Sequence, residues 1–127
     1  MQESYEWGVA VVASDLNKLR EIVYARSKGY CEKCGNQLPE SWALHHRKLN
    51  SRGGKDEVSN FVALHHGCHN LDTDSVHANP YWADQLGLMV GSWQDPWECP
   101  LTLPDGSIVM LDNEGNYKYL ERKGNGW

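Results

Sequence analysis

Apolar side chains in the first quarter of the chain recur at the spacing of one helix face. They are Leu16, Leu19, Ile22 and Val23. Ser14-Asp15 stands just before them as a candidate N-cap, and Gly29 follows where a helix of this length would end. The pattern predicts a helix over residues 15–29 that packs on the rest of the fold.

After this segment the apolar positions form short stretches between turns. Trp42-Ala43-Leu44 and Phe61-Val62-Ala63-Leu64 interrupt a region, residues 30–82, that is dense in Cys, His, Gly and Asn. A further short helix is predicted from Trp82 to Leu88. The remaining apolar runs, residues 101–103, 107–111 and 117–120, are separated by Asp105-Gly106 and by residues 113–115, which predicts a β-meander.

These elements predict an α+β fold in one domain. The length of 127 residues suits a single core, and no internal repeat or low-complexity linker divides the chain. We therefore expect one domain over residues 1–127, with a helix at 15–29, a core at 30–82 and a strand region at 83–127.

Composition favours an unexported protein with no membrane partner. No apolar run approaches the roughly 18 residues that span a bilayer, and the start of the chain has acidic residues but no Lys or Arg before its apolar patch. We expect a cytoplasmic location, where a reducing environment makes the four cysteines metal ligands rather than disulfides.

The formal net charge of −5 does not suggest a nucleic-acid partner, because binding phosphates requires Lys and Arg. The distribution softens this objection, since residues 15–60 contain nine Lys and Arg against six Asp and Glu. An imbalance this small is also typical of an ordinary solvated surface, so charge decides little here.

Two ligand pairs with the same spacing predict a closed zinc site. The first lies in Cys31-Glu32-Lys33-Cys34-Gly35, and the second lies in His65-His66-Gly67-Cys68. Together they supply the four ligands of a structural Zn²⁺ site: Cys31, Cys34, His65 and Cys68. His66 is the alternative to His65, and a redox-active Cys-x-x-Cys is the rival interpretation, although no βαβ pattern accompanies it.

Several histidines remain, and the motifs around them resemble the HNH, or ββα-metal, endonucleases. The resemblance covers about residues 24–80 and rests on the Cys-x-x-Cys-Gly knuckle, Leu44-His45-His46-Arg47, Gly53-Gly54, Ser59-Asn60 and Cys68-His69. It implies a treble-clef-like core in which two strands carry the paired histidines and the asparagine. A helix with the last histidine follows these strands.

The resemblance also implies a role for each of these residues. His46 is the general base, His45 and His69 hold a catalytic divalent cation, and Asn60 fixes the histidine-bearing loop. His77 departs from the usual pattern, because it lies eight residues after His69 and Thr73 occupies the usual place. It is a third metal ligand only if the chain makes an irregular turn, and a surface histidine otherwise.

Basic residues near the motif are candidates for contact with the DNA backbone. They are Arg47, Lys48, Arg52 and Lys55. Arg47 is the first choice as a catalytic-site residue because it adjoins the predicted base, and Gly53-Gly54 would allow a phosphate to approach the main chain. Cys99 has no ligand partner and is expected to be a small buried residue.

The sequence thus predicts a metal-dependent endonuclease that hydrolyses DNA phosphodiester bonds with Mg²⁺, Mn²⁺, Ni²⁺ or Zn²⁺. His77-Ala78-Asn79-Pro80 and residues 92–96 resemble phage-encoded HNH proteins of the zinc-knuckle type, which implies a genome-packaging nuclease with phage terminase subunits as partners. The alternatives are a noncatalytic zinc-ribbon module that binds nucleic acid and a terminase-associated accessory protein. A zinc deaminase is excluded, because its His-x-Glu and Pro-Cys-x-x-Cys elements are absent.

Overall fold

A computed structural model describes the backbone of residues 9–123 and the side chains of residues 15–123. The helices are α1 (Val9–Arg26) and α2 (Pro80–Gln85), and the strands are β1 (Ala43–His46), β2 (Phe61–Leu64), β3 (Leu101–Thr102), β4 (Ile108–Leu111) and β5 (Tyr117–Glu121). This mixture of helices and strands agrees with the predicted α+β class. None of the helices in the described part is both long and apolar enough to cross a membrane.

Helix α1 differs from the prediction at both ends. It begins at Val9 and runs through Ser14-Asp15, so the predicted N-cap there is wrong. An N-cap is worth only about 1 kcal/mol, which the backbone hydrogen bonds of a continuing helix override. The helix ends at Arg26, three residues before the predicted Gly29, whose φ of 81° and N–H bond to the Tyr24 carbonyl (3.0 Å) close the last turn.

The central hairpin carries the paired histidines. Strands β1 and β2 are antiparallel, with His45 opposite Val62 and His46 opposite Phe61. Every residue of β2 is buried. The family resemblance places Asn60 on a strand, but it is the last residue of the 3-10 turn Val58–Asn60, which leads into β2.

The predicted meander is present as the antiparallel sheet β3-β4-β5. Its turns contain Gly106 (φ 90°) and Gly115 (φ 92°), a left-handed conformation that glycine adopts without strain. Helix α2 begins two residues before the predicted Trp82, because Pro80 fits the first turn of a helix, where its missing N–H is not needed.

A buried ion pair connects the hairpin to the elements that flank it. Arg26 at the end of α1 makes two hydrogen bonds to Glu32 (3.0 and 2.8 Å), and its guanidinium also donates to the Phe61 carbonyl (2.7 Å). The Tyr117 hydroxyl of β5 donates to the same carboxylate (2.6 Å). The Glu32 carboxylate also accepts a hydrogen bond from the Ala63 N–H (2.8 Å), so one buried group fixes α1, β2 and β5 together.

Candidate metal centres

The first cluster consists of the two predicted ligand pairs. The ligand atoms of Cys31, Cys34, His65 and Cys68 all lie within 4.8 Å of one another. Gly35, with φ of 81°, closes the turn after the first pair, and its N–H donates to the Cys31 carbonyl (2.9 Å). The Lys33 and Cys34 N–H groups point at the Cys31 sulfur (3.4 and 3.5 Å).

The structure selects His65 over His66 as the fourth member. The His65 Nε2 lies 2.9 Å from the Gln37 carbonyl, which can only accept, so Nε2 carries the proton and Nδ1 keeps a lone pair. That Nδ1 lies 3.3 Å from the Cys34 sulfur, inside the cluster. His66 is exposed and instead contacts the Ser41 hydroxyl (3.0 Å).

The electrostatics of this cluster fit a divalent cation. Burial raises the pKa of the Cys31 thiol, but hydrogen bonds from backbone groups, with Cys34 first, outweigh burial and bring this pKa to about 7. Burial, followed by the charges of Cys31 and Cys34, raises the pKa of Cys68 to about 12. Three adjacent thiolates repel one another, and a cation among them relieves that repulsion. The Cys3His donor set is typical of zinc.

The second cluster contains histidines only. The ring nitrogens of His45, His69 and His77 lie within 4.8 Å of one another, and the Nε2 atoms of His69 and His77 are 3.0 Å apart. Three imidazoles that converge in this way fit a transition-metal ion. His77 is exposed, yet it belongs to this cluster rather than standing alone on the surface.

An irregular segment brings His77 back to His69. His69 lies in the single helical turn Gly67–Leu71, at the place where the family resemblance implied a helix. After this turn the chain loops back over it, and the His77 N–H donates to the His69 carbonyl (3.1 Å) while the Val76 N–H donates to the Cys68 carbonyl (2.8 Å). Hydrogen bonds between two backbone segments, and not a shared helix face, therefore bring His77 close to His69 although eight residues separate them.

Burial keeps two imidazoles of the second cluster, those of His45 and His69, in the neutral form that binds metals. Burial, more than the neighbouring histidines, lowers the pKa of His45 to about 3 and that of His69 to about 4. The Nε2 of His45 donates to the Leu88 carbonyl (2.8 Å), which leaves its Nδ1 as the atom that could coordinate an ion.

His46 has a partner that the sequence did not reveal. Its Nε2 lies 2.7 Å from the Asp56 carboxylate, and its ring packs on Phe61 with centroids 4.5 Å apart. Since the carboxylate accepts the Nε2 proton, Nδ1 remains available as a base. Asp56 lies ten residues after His46 with no recognisable spacing, so nothing in the sequence marks it.

Asn60 ties together the loop that follows His46. Its side-chain oxygen accepts from the Lys48 N–H (2.7 Å), and its amide donates to the carbonyls of Lys48 and Lys55 (3.0 Å each). Its own carbonyl accepts from the Arg47 N–H (2.8 Å). The side chain is fully buried, as a group that holds a loop in place requires.

Residues 31–75 match the HNH endonuclease family model. No curated protein and no solved structure matches the chain. The HNH match contains the whole Cys3His cluster and three residues of the hairpin and its loop, His45, His46 and Asn60. His77 lies two residues beyond its end.

Within the HNH match the structure corrects the expectation for Arg47. This side chain is fully buried and donates to the carbonyls of Gly87, Ser59, Pro96 and Cys99 at 2.7 to 3.0 Å. Burial lowers its pKa to about 10, far above neutral pH, so it stays charged. Because the carbonyls occupy the guanidinium, Arg47 holds the fold together and does not face DNA.

The remaining basic residues of the HNH match stay nearer the surface. Arg52 and Lys55 are exposed, whereas Lys48 is half-buried and its ammonium donates to the Gln94 carbonyl (2.8 Å). Gly54 packs so closely on the Lys48 carbonyl that a side chain would overlap with it. The chain itself therefore requires this glycine, whether or not a phosphate approaches.

Proposed function

We propose that this protein is a metal-dependent endonuclease that hydrolyses DNA phosphodiester bonds. The observation that carries the proposal is that the ring nitrogens of His45, His69 and His77 converge. His45 lies on strand β1, and the next residue of that strand is His46. The HNH match supports the same reaction class. A noncatalytic zinc-ribbon module or an accessory protein would have use for the Cys3His cluster but none for the histidine cluster.

We assign the roles by the available atoms. His46 accepts the proton of the attacking water at Nδ1, while Asp56 fixes the tautomer and stabilises the imidazolium that forms. The water oxygen then bonds to phosphorus as the bond to the departing sugar oxygen breaks. A cation held by the histidine cluster would supply positive charge for the phosphate and for the departing oxygen.

The chemistry of the donor atoms predicts which cations bind the histidine cluster most tightly. Imidazole nitrogen suits Zn²⁺ and Ni²⁺ better than Mg²⁺, which prefers oxygen ligands and tends to keep its waters. We therefore expect Ni²⁺ and Zn²⁺ to bind the histidine cluster more tightly than Mg²⁺ does. In our proposal the Cys3His cluster holds a separate structural Zn²⁺.

We also propose a biological role, in phage genome packaging, from the resemblance of two segments of the sequence. His77-Ala78-Asn79-Pro80 and residues 92–96 are similar to phage-encoded HNH proteins of the zinc-knuckle type. This supports a nuclease that assists phage genome packaging in the host cytoplasm, with terminase subunits as partners.

Plasmid cleavage tests the enzymatic proposal. Purified protein is incubated with supercoiled plasmid and Mg²⁺, Mn²⁺, Ni²⁺ or Zn²⁺, with a chelator control. We expect metal-dependent nicking or linearisation, reduced about 10²- to 10⁴-fold in His46→Ala, since a general base contributes a factor of this size. His66→Ala is the matched control, because this exposed histidine belongs to neither cluster. Cleavage that persists in His46→Ala refutes the assigned base, and no cleavage with any cation refutes the nuclease.

A further inference from the structure

A cavity of about 400 Å³ presents two exposed aromatic rings. Tyr81 and Trp93 line it together with Arg52 and Asp84. Trp93 is 85% exposed and Tyr81 is 79% exposed. Aromatic rings left this open to water at one site are typical of a binding surface.

Trp93 is exposed but rigidly supported. It lies on the turn 91–94, in which the Gln94 N–H donates to the Gly91 carbonyl (3.1 Å) and the Gly91 N–H donates to the Gln94 side-chain oxygen (3.2 Å). The Lys48 ammonium anchors this turn through the Gln94 carbonyl (2.8 Å). A Cβ added at Gly91 would lie 3.1 Å from the indole, so the ring rests directly on the glycine backbone.

The cavity and the histidine cluster share the same two chain segments. The Leu88 carbonyl orients His45, and the next residue, Met89, lines the cavity. Pro80, another lining residue, comes three positions after His77. The cavity is therefore lined by residues that are close in the chain to those that orient His45 and carry His77.

We propose that this cavity binds an unpaired nucleobase of the DNA strand that is cut, stacked on Trp93 and Tyr81. The inference rests on the proposed endonuclease function and narrows its substrate to DNA with an unpaired or displaced base. Arg52 already donates one guanidinium N–H to the Val90 carbonyl (3.2 Å) and directs its others to an adjoining phosphate. Asp84 accepts from the exocyclic amino group that adenine, cytosine and guanine carry. The volume lies within the usual range of about 300 to 1,000 Å³ for ligand sites.

Base stacking also explains how an acidic protein holds DNA. The chain has 12 Lys and Arg against 17 Asp and Glu, so its net charge adds no attraction to phosphates beyond that of the local basic residues. Stacking on aromatic rings supplies affinity that depends on neither charge nor base sequence. The exposed rings of Trp93 and Tyr81 thus provide affinity for DNA at this cavity that the net charge of the protein does not provide.

The test uses oligonucleotides that carry the fluorescent base 2-aminopurine, as a single strand and as a blunt duplex of the same sequence, without added catalytic cation. We expect the wild-type protein to prefer the single strand and to quench the probe. Trp93→Ala and Tyr81→Ala should each weaken single-strand binding about tenfold or more and relieve the quenching. Trp97→Ala is the matched control, since Trp97 is also exposed but lies outside the cavity.

Binding and cleavage separate the two proposals. If the wild-type protein cuts plasmid while both cavity variants bind and quench like wild type, the cavity proposal is wrong and the nuclease stands. If the variants lose binding and quenching but the wild type does not cleave the plasmid with any of the four cations, the base site stands and the nuclease is wrong. Thermal unfolding verifies that the variants are folded, as expected for substitutions of exposed side chains.

Discussion

The two clusters differ in the number and chemistry of their donors. The Cys3His cluster offers four ligands, three of them sulfur, and four ligands complete a tetrahedral site. The histidine cluster offers three ring nitrogens, and three protein ligands would leave a fourth position open for water or substrate. One fold thus brings together two donor sets of different kinds, a closed set of four that fits a structural metal and an open set of three that fits the proposed catalytic cation.

The clusters also differ in how the chain assembles them. Each half of the Cys3His cluster is a local turn with ligands three residues apart, so only two turns must meet. The histidine cluster needs β1, the turn Gly67–Leu71, the returning segment that carries His77, and the Leu88 carbonyl. The closed centre depends mainly on local geometry, and the open centre depends on tertiary contacts.

The largest expected effect is on folding, from Cys34→Ser. Loss of one sulfur should release the zinc and lower the melting temperature by about 10 °C or more, because a structural zinc contributes directly to folding. Metal analysis and thermal unfolding measure both changes. Cys99→Ala is the control, since Cys99 lies outside both clusters and should retain zinc. Full zinc content and unchanged melting in Cys34→Ser would show that the closed centre is not structural.

His69→Ala should produce the opposite pattern. We expect cleavage to fall about 100-fold as one ligand of the open centre is lost, whereas the zinc of the Cys3His cluster and the melting temperature change little. Plasmid cleavage, metal analysis and thermal unfolding on the same preparation separate these effects, with His66→Ala beside it. If the melting temperature of His69→Ala is as low as that of Cys34→Ser, the two clusters do not differ in their contribution to stability.

Asp56→Asn sharpens the comparison within the open centre. The amide still accepts from His46 Nε2 but no longer stabilises the imidazolium, so cleavage should fall about tenfold with metal binding unchanged. The rate of plasmid nicking under saturating cation measures this effect. Glu57→Gln is the matched control, because this neighbouring carboxylate does not contact His46. Equal rates in the two variants would remove Asp56 from the mechanism.

Long-range contacts explain why sequence reasoning about Arg47 failed. Its position beside His46 favoured contact with DNA, but its carbonyl partners are Ser59 and three residues between 87 and 99. A basic side chain next to a motif has the same sequence signature whether it faces solvent or the interior. The same holds for Asp56, whose contact with His46 depends on the path of the loop.

The sequence by itself determined the two ligand pairs, the paired histidines and the three-strand meander. The spacing of ligands and the alternation of side chains along a strand depend on residues that are neighbours in the chain, so both can be predicted from the sequence. Only the tertiary structure decided that His77 joins His45 and His69 and that Arg47 turns inward. The physical reason is that these outcomes depend on hydrogen bonds to carbonyls such as those of His69, Leu88 and Gly87, and a backbone carbonyl has no signature in the sequence.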